Sequence, residues 1–173
     1  MLARMSSRLL DPRLWPFWAM MFSAAILAGA HAFETFGRLA ACPLCLRQRE
    51  VYWAAIAIAA IGLIVIRFMR HPRMTMTLNT ILCLVFITSA VIAGYHAGVE
   101  WHLWKGPEGC AAGASNLPAS AAEIDLDQRF AIASCTEAAW RMFGISMAGY
   151  NVLISIGLAF LSAISARRAM QTP

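Results

Sequence analysis

Three long stretches of this sequence contain no Asp, Glu, Lys or Arg, and they limit the fold more than any other feature. They are Leu14–Ala32, Met74–Val99 and Met142–Ser165. Each is long enough to cross the apolar core of a bilayer as a helix, which takes about 20 residues. Val51–Ile66 is shorter, but a helix that begins near Pro43 brings it to spanning length.

The sequence therefore predicts an all-α membrane protein, a four-helix transmembrane bundle that forms one integral membrane domain over residues 1–173. The composition favours this class, because only 13% of the residues are charged, whereas soluble domains carry about 25%. The predicted spans are approximately 14–33, 44–66, 74–97 and 143–165.

The net charge of +5 is distributed along the chain and does not indicate a nucleic-acid-binding patch. Arginines concentrate at the N-terminus, in the loop between the second and third spans, and at the C-terminus. Under the positive-inside rule these three regions are cytoplasmic, so the other two loops face the periplasm or the outside. The arginines are Arg4, Arg8, Arg13, Arg67, Arg70, Arg73, Arg167 and Arg168.

The N-terminal region could also be interpreted as a signal peptide, because a basic segment and an apolar run precede the small-residue stretch "AGAHA". The apolar run is longer than the usual 7–15 residues of a signal peptide, which favours a retained span. Cleavage would leave the orientation of the other three spans unchanged.

Four of the five cysteines lie in the two exported loops: Cys42 and Cys45 in the first, Cys110 and Cys135 in the second. Cys83 lies within the third span and is interpreted as a small buried hydrophobic residue. Disulfides persist in an exported compartment, so two loop staples are one interpretation of the four. A zinc site of four thiolates is disfavoured, because only one pair has close spacing, and we predict no bound metal.

The pair in "CPLC" is better explained as redox-active than as a staple. A disulfide that closes a loop of two intervening residues removes little chain entropy and stabilises the fold very little. Pro43 suits the first position of a helix, which makes Cys42 the cap residue and puts Cys45 among unpaired backbone N–H groups. This positive end of a helix favours a thiolate.

Two arginines follow the pair, and helical geometry separates them. Arg49 is four residues after Cys45 and lies on the same helix face, so a ligand that contacts the sulfur could also meet its guanidinium. Arg47 points away from that face and is equally well explained as an interfacial anchor. No Gly-x-Gly-x-x-Gly motif indicates a nucleotide cofactor, so the position at the lipid boundary favours a quinone as electron acceptor.

Several stretches in the same order along nearly the whole chain resemble the DsbB family, bacterial inner-membrane thiol:quinone oxidoreductases. They are "CPLCLRQR", "AGYHAGVEW", the loop between Cys110 and Cys135, and "CTEAAWRMFGISMAGYN". The resemblance implies protein-dithiol:quinone oxidoreductase activity, with ubiquinone or menaquinone as the acceptor. It also implies a periplasmic DsbA-like thioredoxin-fold partner, with both termini cytoplasmic and the redox cysteines periplasmic.

Residue by residue, the resemblance assigns Cys110 and Cys135 to exchange with the DsbA-like partner, whose thiolate attacks Cys110. Electrons would then pass to Cys42 and Cys45 through a Cys42–Cys135 bond. Cys45 matches the cysteine that engages the quinone. Arg49 matches an arginine that stabilises the reduced quinone, and a histidine near the quinone is matched by His96, which could otherwise simply bond a loop carbonyl.

The loop between Cys110 and Cys135 contains a predicted amphipathic surface helix that begins near Pro118 and includes Ile124 and Phe130. Two other classes of protein remain as alternatives. A quinone enzyme of the vitamin K epoxide reductase type carries its CxxC late in the chain, which argues against that class. A non-enzymatic membrane protein with loop staples or a metal would bind no quinone.

Overall fold

The computed structural model describes residues 11–38, 41–69, 71–107, 110 and 134–171. Within these residues the chain forms four long helices and a short hairpin. Each helix is long and apolar enough to cross a membrane, which confirms the predicted four-helix transmembrane bundle. The elements are α1 (Trp15–Gly37), α2 (Pro43–Met69), α3 (Pro72–Glu100), β1 (Arg141–Met142), β2 (Ile145–Ser146) and α4 (Met147–Gln171).

Prolines mark the starts of the first three helices, at Pro16, Pro43 and Pro72. Proline is tolerated in a first turn because the N–H that it lacks would have no partner there. The side chain of His71 caps α3 by accepting a hydrogen bond from the backbone N–H of Arg73.

Consecutive helices pack as neighbours, α1 on α2, α2 on α3 and α3 on α4. Small residues let the helices approach closely. At Gly62, an added Cβ would lie 2.2 Å from a methyl carbon of Leu78, so α2 and α3 meet at a position that only glycine fits without displacing its neighbour. The buried core includes Trp15, Tyr52 and Phe86.

One end of the bundle carries five described arginines, and we call it the arginine end: Arg13, Arg67, Arg73, Arg167 and Arg168. Here uncharged side chains connect the helices. Asn79 of α3 donates to the carbonyl oxygen of Pro12 and to the hydroxyl of Ser165, both at 3.0 Å. The indole N–H of Trp15 donates to the hydroxyl of Ser162 at 2.9 Å. These bonds join α1 and the residues just before it to α3 and α4.

The uncharged stretch at 142–165 does not continue as one helix. Residues 141–146 form an antiparallel hairpin in which Met142 pairs with Ile145, and α4 begins at Met147. Phe143 and Gly144 both have positive φ, as a tight two-residue hairpin turn requires. The predicted surface helix near Pro118 lies outside the described residues, as do Arg4, Arg8 and Arg70.

Candidate functional site

The other end of the bundle brings all four predicted site cysteines together, and we call it the cysteine end. Cys42, Cys110 and Cys135 are buried in one cluster with Leu44 and Val99, and Cys45 packs against it. Cys110 and Cys135 form a disulfide. Cys42 and Cys45 are free thiols. Cys83 instead packs against the core of the bundle.

The start of α2 has the cap geometry that the sequence predicts. The Cys42 sulfur accepts a hydrogen bond from the backbone N–H of Cys45 at 3.2 Å, and its carbonyl accepts one from Leu46. The two sulfurs are 2.7 Å apart. The hydrogen bond with the Cys45 sulfur, together with burial, raises the pKa of Cys42, so Cys42 holds its proton more tightly than an exposed cysteine does.

The sulfur separation bears on whether the site could hold a metal. Among the residues that the structure describes, the ligand atoms of Cys42, Cys45 and His96 all lie within 4.8 Å of one another. Two thiolates on one tetrahedral zinc ion would be about 3.8 Å apart. The Cys42 and Cys45 sulfurs, 2.7 Å apart, are closer together than two ligands of one zinc ion.

The two arginines differ as the helical argument predicts. Arg49 is 14% exposed and forms an ion pair at 2.5 Å with Glu34 of α1, and it also donates to the carbonyl of Ala30. Arg47 is 71% exposed and pairs with Glu50 one turn along the same helix. Arg49 therefore faces the site, whereas Arg47 faces away from it.

His96 of α3 lies beside the thiol pair. Its Nε2 is 3.6 Å from the Cys42 sulfur, and its Nδ1 is 2.8 Å from the side-chain amide nitrogen of Gln48. The Gln48 amide oxygen accepts from Asn151 of α4. Asn151 in turn accepts from the hydroxyl of Tyr52. These contacts fix the orientation of the imidazole ring across three helices.

A buried carboxylate completes the site. Glu100, at the end of α3, is 6% exposed. One of its oxygens lies 3.8 Å from Nε2 of His96, and the other accepts a hydrogen bond from the hydroxyl of Ser146 on β2. The hairpin before α4 thus holds this carboxylate beside the imidazole.

These side chains line an open cavity of about 380 Å³ between the four helices and the segment before the hairpin. Apolar side chains form much of its wall, among them Ile26, Leu27, Phe33, Met147 and Ile154. The polar groups that reach it include Cys45, Arg49, His96 and Glu100. An apolar cavity with a few convergent polar groups suits a largely apolar small molecule.

Sequence analysis missed Gln48, Asn151, Glu100 and Glu34. The sequence spacing of two of them could have identified them as site residues. Gln48 follows Cys45 by three residues, and Glu100 follows His96 by four, so each shares a helix face with a predicted site residue. Glu34 and Asn151 reach the site only through the packing of α1 and α4, which no local pattern specifies.

Comparisons with known proteins relate this chain to a family. A family model described as "Disulfide bond formation protein DsbB" matches residues 12–165. An uncharacterised protein of Rickettsia prowazekii (strain Madrid E) is 31% identical over 79% of this chain and 77% of its own length. Disulfide bond formation protein B of Nitrosomonas europaea is 28% identical over 82% of this chain and 87% of its own length. No solved structure matches.

Proposed function

The chain belongs to the DsbB family of disulfide bond formation proteins, and we propose that it oxidises a periplasmic DsbA-like protein and passes the electrons to a membrane quinone. Family membership makes it a membrane oxidoreductase of disulfide formation. The donor, the acceptor and the residues of the relay are our proposal.

The observation that carries this proposal is the single buried cluster that holds Cys42, Cys110 and Cys135 with Cys45 against it. Thiol–disulfide exchange requires one sulfur to approach another along the bond that breaks. Cys110 and Cys135 accept electrons from the partner, with Cys110 as the sulfur that the partner attacks. A Cys42–Cys135 bond then links the two pairs, and the electrons reach Cys45.

The residues around the cavity fit a quinone. The chamber is mostly apolar, it lies beside the Cys45 sulfur, and Arg49 and His96 supply polar groups at its wall. A bound quinone, ubiquinone or menaquinone, would accept two electrons and two protons. Arg49 is held in place by Glu34, so its guanidinium provides a fixed positive charge beside the thiolate. We therefore assign Cys45, Arg49 and His96 to quinone binding.

We also propose that the chain is one integral domain of the bacterial inner membrane, where the DsbB family acts, with the cysteine end periplasmic and both termini cytoplasmic. The described arginines at the opposite end support this orientation under the positive-inside rule. They are Arg13, Arg67, Arg73, Arg167 and Arg168.

The proposal is tested by anaerobic mixing of the purified protein with a reduced DsbA-like donor and with ubiquinone or menaquinone, while the absorbance of the quinone is followed. We expect loss of oxidised quinone in the wild type and none in Cys45→Ser, with Cys83→Ser as the matched control that retains activity. A protein whose cysteines are only staples would leave the quinone spectrum unchanged in every variant.

A further inference from the structure

Oxidation of the thiol pair leaves one proton that needs an acceptor. When Cys42 as a thiol and Cys45 as a thiolate form a disulfide, one S–S bond forms, one S–H bond breaks, and two electrons leave for the quinone. Breaking that S–H bond releases the proton of Cys42 inside the protein. Cys42 is 2% exposed, and its pKa is raised by the neighbouring sulfur and by burial, so the thiol does not readily lose this proton to water.

His96 is the base within reach. Its Nε2 is 3.6 Å from the Cys42 sulfur, a distance within the range of a hydrogen bond to sulfur. In the structure the amide nitrogen of Gln48 faces Nδ1 and donates to it, which leaves the ring proton on Nε2. A half turn of the Gln48 side chain presents the amide oxygen to Nδ1 instead. With the oxygen on Nδ1–H, Nε2 has a free lone pair directed at the thiol. The Asn151 side chain can rotate together with that of Gln48, because its amide also carries both a donor and an acceptor.

Glu100 is the group that can accept the proton from His96. Its carboxylate is buried, and it lies 3.8 Å from the same nitrogen that faces Cys42. Two other charged groups act on this region: Arg141 of the hairpin, which attracts the Glu100 carboxylate, and Arg49 of α2, which acts on Cys45. A buried acid near a membrane boundary is costly to keep, which favours a functional role.

We propose that Nε2 of His96 removes the thiol proton of Cys42 as that sulfur is oxidised, and that the carboxylate of Glu100 then accepts the proton from the same nitrogen. The S–H bond breaks, an O–H bond forms, and the imidazole returns to its neutral state. Ser146 positions the carboxylate for this transfer. The inference rests on the proposed function for its electron acceptor, but the proton transfer itself can be observed without a quinone.

The first test follows the infrared difference spectrum after the reduced full-length protein is mixed rapidly with ferricyanide, which takes electrons but no protons. We expect the C=O band of a protonated carboxylic acid to appear in the wild type and to shift in D₂O. It should be absent in Glu100→Gln, which removes the acceptor, and in Cys42→Ser, which removes the source. The control is Glu50→Gln, an exposed acid whose loss should leave the band intact.

No carboxylic acid band in the wild type, or the same band in Glu100→Gln, would overturn the proposal. Because ferricyanide replaces the quinone, neither result depends on whether quinone is the natural acceptor. Loss of quinone reduction with the band retained would instead count against the proposed function alone.

The second test is the pH–rate profile of thiol oxidation. His96→Ala should lower the rate on the order of 100-fold, the usual contribution of a positioned base. Glu100→Gln keeps an acceptor for Ser146 but removes the negative charge beside the imidazole. The imidazolium is then less stable, so the fall in rate at acidic pH should occur at lower pH than in the wild type. A fall at an unchanged pH would show that Glu100 has only a structural role.

Discussion

The two ends of the bundle both bury polar side chains between helices, but they use different kinds of group. At the arginine end, Asn79, Ser165 and Trp15 connect helices through groups that do not change protonation state. At the cysteine end, Cys42 and Glu100 are both buried beside His96, and each of the three can gain or lose a proton. The first arrangement stabilises the bundle, whereas the second can carry out chemistry.

The largest expected loss of turnover comes from removing a sulfur at the cysteine end. Cys42→Ser should reduce disulfide-coupled turnover by about a thousandfold or more. The four cysteines act as one relay, so the loss of one sulfur stops the whole electron transfer. The thermal unfolding temperature should change little, since the Cys110–Cys135 disulfide remains. Turnover is measured with a reduced thiol donor, and unfolding by circular dichroism in detergent. If the variant unfolded as well as losing turnover, Cys42 would have a structural role instead of a redox role.

A smaller effect is expected from the guanidinium beside the cavity. Arg49→Ala removes a charged hydrogen-bond donor, which contributes about 1.5–3 kcal/mol, so the KM for quinone should rise by about tenfold or more. Arg47→Ala is the matched control, because its exposed ion pair with Glu50 contributes little. If both variants gave the same KM, the distinction between the two arginines would be lost.

The smallest effect on turnover is expected at the arginine end. Asn79→Ala removes hydrogen bonds to Pro12 and Ser165. Hydrogen bonds between membrane helices contribute about 0.6 kcal/mol each on average, so the free energy of unfolding should fall by on the order of 1 kcal/mol with turnover unchanged. The measurement is equilibrium unfolding in detergent beside the quinone assay. A loss of turnover comparable to that of Arg49→Ala would remove the contrast between the two ends.

The sequence was most informative where the pattern is local. Charge-free stretches predicted the four helices, Pro43 predicted the cap geometry at Cys42, and the spacing from Cys45 separated Arg49 from Arg47. The hydrophobic pattern could not show that the chain reverses direction at residues 143 and 144 before α4. Residues 142–146 carry no charge, and neither does the first part of the helix that follows them. The predicted roles of the cysteines, Arg49 and His96 stay predictions.

The contacts of His96 could not be predicted, because they depend on the packing of three helices. Its neighbours Cys42 and Gln48 belong to the start of α2, and Asn151 belongs to α4. Nothing in the local pattern around residue 96 specifies which groups the ring meets. The surroundings of an ionisable residue inside a bundle therefore come from the fold, even where the residue itself is predicted from sequence.

The central claim is that the two sulfur pairs of the cysteine end exchange directly. It is tested most directly in the double variant Cys45→Ser with Cys110→Ser, by mapping disulfides in the oxidised, full-length protein with mass spectrometry. The account predicts a Cys42–Cys135 disulfide within one chain as the dominant product. Free thiols at both positions under oxidising conditions, or disulfides only between separate chains, would contradict it.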